Sequence, residues 1–389
     1  MEQKEERSFW RRGKEPVIFL VLFLGFFSLF AGPMGLINML NTMMNTAHDL
    51  LMNTVFYLMA ICVMAGALSA LLTEFGVVAA VNRLLSPLLG PVYDLPGAAS
   101  LGIVTTFLSD NPAILTLAHD RGFRKYFRRY QLPALTNLGT SFGMGLIVCT
   151  YMLSLQAVTG ESYGKAVLVG LAGTVVGSIV STRLMLRATQ KVYGAEDWVE
   201  EAPGEEGSAA PVPERRSGSV GARLMDAMLD GGKSGVEMGL AIIPGVLIIC
   251  TFVMMLTNGP GEGGIYTGGA YEGVALLPQL AEKARFILAP LFGFSSNEAV
   301  AVPVTALGAA GAAVGLVGKL AGQGLVSGND VAVFTAMCMC WSGYLSTHVS
   351  MMNSLECNHL VGKAIGSHTV GGLCAGVFSH WLYALLSLI

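Results

Sequence analysis

Charged side chains are scarce in this chain: Lys, Arg, Asp and Glu make up 13% of its 389 residues, against 53% hydrophobic residues. Soluble domains carry about 25% charge. With a mean hydropathy of +0.60, the deficit excludes an ordinary water-soluble fold and implies several passages through a bilayer. A disulfide framework is also missing, because the seven cysteines nearly all lie in apolar segments. No basic stripe interleaved with aromatics is present, so nucleic acid is not an expected partner. No nucleophile motif, phosphate-binding loop or HExxH occurs, so the chain does not read as an enzyme. The net charge of −3 says little by itself; in a membrane protein the placement of Lys and Arg carries the information.

What the chain does have is apolar sequence with abrupt polar breaks. The sharpest lies within residues 94–146, at Thr105-Thr106-Phe107-Leu108-Ser109-Asp110-Asn111-Pro112-Ala113. An aspartate at mid-bilayer costs roughly 2.5–3.5 kcal/mol on insertion scales, so such residues face a cavity or a partner. The apolar arms on either side, Leu95–Leu108 and Ala113–Ala118, are too short to cross, since a spanning helix needs about 20 residues. The pattern predicts a hairpin that enters and leaves by one face, with Pro112 removing a backbone donor at the bend. A kinked, fully spanning helix is the alternative.

Around this stretch the chain divides into segments. Residues 1–50 hold a basic start (Lys4, Arg7, Arg11, Arg12, Lys14) and a first span at 16–38, read as an uncleaved helix. Residues 51–187 hold spans at 51–74, 132–157 and 165–187, and an amphipathic interfacial helix at 76–90. The basic run Arg121–Arg129 reads as a cytoplasmic loop in contact with lipid headgroups. Residues 188–222, with Glu200-Glu201 and Glu205-Glu206, read as a solvated, disordered cytoplasmic linker. Residues 223–389 repeat the outline: an amphipathic stretch at 223–235, a span at 236–257, a Gly-rich loop at 258–272, a broken apolar region at 286–320, and spans at 331–352 and 366–388. Ser86-Pro87-Leu88-Leu89-Gly90 matches Ala289-Pro290-Leu291-Phe292-Gly293 just before each candidate hairpin. Counting crossings from a cytoplasmic N-terminus brings the second hairpin in from the opposite face. The two halves thus come out antiparallel, an arrangement common among secondary transporters.

With these residues in view, the chain resembles the nucleoside-recognition (Gate) membrane proteins. Residues 94–122 resemble the pattern of spore maturation protein A; residues 289–314 with Ser342–Asn353 resemble that of protein B, as if the two were fused through the linker. More distantly the chain is similar to concentrative nucleoside transporters and to the membrane part of ferrous-iron transporters. The resemblance implies an all-α polytopic membrane protein with two inverted Gate repeats and re-entrant helical hairpins. It also implies a first-hairpin turn that contacts a nucleobase, here Ser109, Asp110 and Asn111, and a broken helix after it carrying Asn137, Thr140 and Ser141. Ser-Asp-Asn-Pro stands where those transporters show Gly-Gln-Thr-Glu, and the matching second turn, Thr305–Gly311, has no acidic side chain. Such proteins are often homo-oligomers, with the helices at 76–90 and 223–235 as the candidate scaffold.

The candidate sites follow, each with its bland counterpart. Asp110 and Asn111 offer oxygen ligands for a polar solute or for coupling Na⁺ or H⁺; the alternative is a turn that bonds its own backbone. Asn137, Thr140 and Ser141 lie on consecutive turns of a Gly-interrupted span, where either exposed carbonyls or interhelical hydrogen bonds would use them. Asn297 and Glu298 repeat the first cluster, or form a capping box with Ser295. Ser342, Ser346 and Asn353 share a helix face beside His348, which suggests an aqueous cavity and a proton carrier, or a packed polar face. Cys338 and Cys340 cannot share a face at spacing two, so buried packing outweighs a metal pathway and no cofactor is expected. The expected function is a transporter or solute-binding Gate protein for a small polar, nucleoside-like solute, in a bacterial cytoplasmic membrane with N-terminus and linker inside. A non-transporting membrane scaffold is the rival, and a metal-ion transporter stands third.

Overall fold

The computed structural model describes residues 2–109, 114, 118, 121–199 and 216–388, and among them it is helical, without a strand. Helix α1 (Glu2–Met34) leads into α2 (Leu36–Asp49), which passes through a π-helical turn at Leu50–Val55 into α3 (Phe56–Glu74). There follow α4 (Val77–Tyr93), α5 (Ala99–Leu108), α6 (Ala134–Thr140), α7 (Gly145–Ser154) and α8 (Gly164–Tyr193). The second half begins with α9 (Val220–Ala241), a second π-helical turn at Gly245–Cys250 and α10 (Thr251–Thr257). Then come α11 (Leu276–Lys283), α12 (Arg285–Phe292), α13 (Ala301–Ala306), α14 (Ala310–Gly322), α15 (Gly328–Cys340), α16 (Tyr344–Ser354) and α17 (Val361–Leu386). Among the described residues five stretches are long and apolar enough to cross a membrane: Lys14–Met34, Leu36–Glu74, Gly164–Tyr193, Val220–Thr257 and Asn358–Leu386. On α1 the run Val17–Leu24 is almost wholly exposed, a surface suited to lipid tails and not to water. The protein is an all-α polytopic membrane protein.

The two bent elements, 36–74 and 220–257, pack antiparallel. Helix α3 lies on α9, the π-turns meet each other, and α2 reaches α10. Small residues permit this approach. Gly231, Gly235 and Gly239, four apart on one face of α9, sit against Gly66, Cys62 and Met59 of α3. A Cβ on Gly235 would fall 2.3 Å from the Cys62 carbonyl oxygen. At the end of the pair Arg223 donates from Nε to Glu74 Oε1 at 2.6 Å, and Arg216 lies 3.7 Å from the same carboxylate. Residues 223–235, expected to lie in the interface as an amphipathic helix, are therefore part of a packed, spanning element. The charges Asp226, Asp230 and Lys233 gave an amphipathic pattern, but the glycine face decides the packing.

A second layer is formed by α8, α15 and α17, again through glycines: Gly177 of α8 meets Gly371 of α17. Helices α8 and α17 are antiparallel, since Lys165 bonds the Leu386 carbonyl (2.6 Å) while Tyr193 reaches His359 (3.3 Å). The bundle thus has two ends. One collects Glu74, Arg121–Arg129, Tyr193–Val199, Arg216–Arg223 and His359. The other collects the loop 258–275, which clasps α2 through Asn38 to Tyr266 O (3.1 Å) and Asn45 to Gly268 O (2.8 Å). The linker also starts later than expected. Residues 188–193 continue α8, and 195–199 dock on the basic loop, with Arg129 N donating to Asp197 O at 2.7 Å and Arg128 over the Trp198 ring.

Two of the expected spans are broken in the middle. Between α6 and α7 the chain turns at Ser141–Met144, where Met144 takes a left-handed conformation (φ 56°); between α15 and α16 it turns at Trp341–Gly343, with Gly343 at φ 67°. Helix α6 packs on α16 and α7 on α15, so the broken elements also cross antiparallel. Helices α13 and α14 form a helix–turn–helix hairpin with its tip at Leu307–Ala309.

Candidate solute site

The two breaks are buried, and polar side chains gather between them. Asn137, Thr140, Ser141, Ser181, Ser342, His348 and His368 have no exposed surface. Burying so many hydroxyls, amides and imidazoles is tolerated only where each finds a partner. Thr140 donates to Thr136 O (2.7 Å) and Ser141 to Asn137 O (2.7 Å), satisfying carbonyls where α6 ends. Ser342 Oγ reaches Thr140 O at 3.4 Å, so one break is bonded to the other.

The amide of Asn137 is the junction. Its Nδ2 donates to Ala364 O of α17 at 2.9 Å and to Ser181 Oγ of α8 at 3.0 Å. Ser181 Oγ lies 2.8 Å from His368 Nδ1, and His368 Nε2 contacts the Cys340 carbonyl. A carbonyl only accepts, so Nε2 carries the hydrogen and Nδ1 accepts from Ser181. By the same argument His348 Nδ1 donates to Tyr344 O (2.7 Å), and its Nε2 lies 3.3 Å from Thr140 Oγ1. The two imidazoles are 4.5 Å apart between ring centroids, and Tyr344 stacks on His368. Next to Ser181, the buried Thr182 Oγ1 has no partner among the described residues. The centre offers amide, hydroxyl and imidazole groups at the unwound middle of two crossing helices.

The sequence-derived candidates divide accordingly. Asn137, Thr140, Ser141, Ser342 and His348 are brought together. Asp110 and Asn111 lie outside the described residues; Ser109, just after α5, is exposed. Ser346 belongs to α16, and its side chain is outside what is described. Asn353 is exposed near the end of α16, and Ser342 precedes that helix; the break at Trp341–Gly343 removes the shared face expected for them. Asn297 and Glu298 are elsewhere, beside a cleft of about 220 Å³ with Ser295 and Arg285, where Asn297 donates to Glu282 (2.8 Å). The expected Ser295–Glu298 capping box does not form. Ser296 Oγ accepts from Ala299 N, the Ser295 hydroxyl bonds Asp330, and the capping box is Ser327 with Asp330. Ser181 and His368 were missed by sequence reasoning. An ionisable His368 inside an apolar span was the available signal. Among the described residues no three His, Cys, Asp or Glu side chains gather to hold a metal ion.

No family model matches the chain, and no curated protein matches it in sequence. Among solved structures it is similar to CNTnw in an inward-facing substrate-bound state, with 12% identity over 98% of this chain and 86% of that chain, at a TM-score of 0.50. Two CNTnw variants in outward-facing states are similar at 13% identity and TM-scores of 0.44 and 0.46, covering 98% and 97% of this chain and 87% of each of those. The fold therefore belongs to a class of polytopic helical membrane proteins built on crossing, broken elements. A solved example it resembles is CNTnw, and at this identity the likeness is one of fold.

Proposed function

We propose that the protein is a membrane transporter for a small polar solute, held at the centre around Asn137, His348 and His368 and exposed in turn to each membrane face. One observation carries this reading: two antiparallel helices are both unwound at the middle of the bundle, around a buried polar cluster. Irregular backbone at that depth is tolerated where it lines a path or cavity. The fold likeness to CNTnw supports it.

In this reading α13–α14 is a re-entrant hairpin and α5 is one arm of another, entering from opposite ends. Arms of this size, at about 1.5 Å per residue, reach only part-way through a hydrocarbon core of about 30 Å. The sequence puts Ser109, Asp110 and Asn111 at the expected first tip, the last two outside the described residues. The solute is nucleoside-like, as in the Gate family, and Na⁺ or H⁺ is the coupling ion, with the imidazoles as proton carriers. The end holding Arg121–Arg129, Lys191, Arg216 and Arg223 faces the cytoplasm of a bacterial inner membrane. A scaffold that only binds its ligand is the second reading, favoured by the tip Leu307–Ala309, which has no acidic side chain.

The test is a thermal-shift screen of the purified protein against nucleosides, nucleobases, amino acids and divalent metals, beside Asp110→Ala and Asn137→Ala, followed by uptake into proteoliposomes. A ligand at a hundred times its dissociation constant adds about 2.7 kcal/mol of stability. A shift lost in the variants, with uptake of that compound, supports transport. A shift without uptake supports the scaffold, and no shift in a folded sample sinks the solute site.

A further inference from the structure

Away from the central cluster, at the far end of the bundle, a cleft of about 280 Å³ opens between the π-turn of 36–74, the end of α7 and α14. Asn53, Tyr57, Tyr151, Ser154, Val158 and Lys319 line it. Lys319 sits in the last turn of α14, and its ammonium lies 2.5 Å from Asp49 Oδ2 and 4.5 Å from the centre of the Tyr271 ring. Asn53 donates to the other Asp49 oxygen at 2.6 Å, and the Tyr271 hydroxyl bonds Asp49 as well.

Depth places this cleft at a membrane boundary. Tyr57 and Asn53 precede Glu74 by 17 and 21 positions in the sequence. At 1.5 Å per residue that is about 26–32 Å from the end marked by Glu74 and Arg223, one hydrocarbon thickness. Charged residues are found at such a level because headgroups and water meet them there. The neighbouring surface is apolar: Met52, Phe56, Leu153 and Val158 are 50%, 51%, 46% and 59% exposed. The cleft is thus amphipathic, polar and charged at one side and continuous with a tail-facing surface at the other.

Charge complementarity narrows the occupant. An ammonium has three donors, and among the described residues one acceptor, Asp49, takes a hydrogen bond from Lys319. A phosphate oxygen can take another, with the Tyr57 and Ser154 hydroxyls at hand. Asp49 beside Lys319 cancels the net charge, which disfavours a purely anionic head. A head carrying both signs matches the pair, phosphate towards Lys319 and a primary ammonium towards Asp49.

We propose that this cleft is a lipid site for an aminophospholipid of the phosphatidylethanolamine type. It is separate from the central solute site and holds whatever that site carries. A quaternary choline head has no N–H to give Asp49, and diacylglycerol has no phosphate for Lys319.

Native mass spectrometry of the delipidated full-length protein tests this, with phosphatidylethanolamine, phosphatidylglycerol, phosphatidylcholine and diacylglycerol added in turn. Phosphatidylethanolamine should be retained about tenfold better than diacylglycerol, the scale of one charge-assisted hydrogen bond. Lys319→Met should remove that advantage, Lys319→Arg should keep it, and Asp49→Asn should abolish the preference over phosphatidylglycerol and phosphatidylcholine. Soluble phosphoethanolamine should fail to compete if the tails contribute, and should compete if the head alone is bound; the second result would replace the lipid by a soluble phosphate ester. Equal retention of all four lipids, or retention unchanged in Lys319→Met, would overturn the proposal. If Lys319→Met does not fold, the Asp49→Asn and Lys319→Arg pair decides by the same comparison.

Discussion

Replacing Gly235 with alanine should force α3 and α9 apart, while the same change at Gly232, three residues earlier, should not. A Cβ at 235 would lie 2.3 Å from Cys62 O and 2.6 Å from Val63 Cα, both backbone atoms of a helix that cannot turn away. Restoring ordinary contact needs about 1 Å of separation along an interface where Gly66, Gly231 and Gly239 are also in close contact. Overpacking of this kind costs about 1–3 kcal/mol, offset by about 0.8–1 kcal/mol for exchanging glycine for alanine within a helix. The net expectation is a loss of up to about 2 kcal/mol. At Gly232 the nearest atom beyond its own helix is Val63 Cγ1 at 3.7 Å, an ordinary contact. There the helix-propensity gain stands alone, and stability should hold or rise by up to about 1 kcal/mol. Thermal unfolding in one detergent reads both variants, followed by a thiol-reactive dye, because Cys62, Cys149, Cys250, Cys338, Cys340 and Cys357 are buried until the fold opens. Opposite signs support the glycine-mediated interface. Equal shifts in the two variants, or a Gly235→Ala protein more stable than the parent, would refute it.

Two further outcomes are expected. Asn137→Ala takes the side-chain donor from the Ala364 carbonyl and one partner from Ser181, so unfolding should come earlier by about 1–3 kcal/mol; an unchanged midpoint would remove Asn137 from its place at the junction. Glu272, in the loop that clasps α2, is nearly buried, and burial alone would raise its pKa. Donation from the Thr267 hydroxyl and N–H and from the Gly268 N–H outweighs that and holds it below the ordinary carboxylate range. A depressed carboxylate contributes stability that is complete above the unfolded value and is lost as pH falls through the folded one. The midpoint should therefore drop as pH falls below about 4.5, and Glu272→Gln should flatten that part of the profile; a parallel profile in the variant would rule the loop carboxylate out.

Much of the architecture was legible because apolar length and charge placement are local properties. The apolar runs at 51–74 and 165–187 became spanning elements, and the polar interruptions near Gly139–Gly145 and Ser342 coincide with the unwound turns. Packing was harder to read. Charges at Asp226, Asp230 and Lys233 dominated the pattern of α9, although glycines at 231, 235 and 239 set its contacts. The central network joins Asn137, Ser181, Ala364 and His368 across long sequence separations, so spacing along one helix could not assemble it. Ser342 and Asn353 looked coaxial only while the helix was taken as unbroken. The docking of residues 195–199 depends on Arg128 and Arg129, far upstream, and no local pattern announces it.

The two halves hold each other through their helices. First-half helices α3 and α8 make their tightest contacts with α9 and α17 of the second half, α6 packs on α16 as well as on α8, and the clasp of 258–275 on α2 adds another crossing point. Neither half has a complete surface of its own: the glycine face of α9 is closed by α3, and the Asn137 amide is satisfied by Ser181 of its own half and by the Ala364 carbonyl of the other. In physical terms the molecule is an interleaved heterodimer that happens to be encoded as one polypeptide. Its cohesion would not survive the loss of either part.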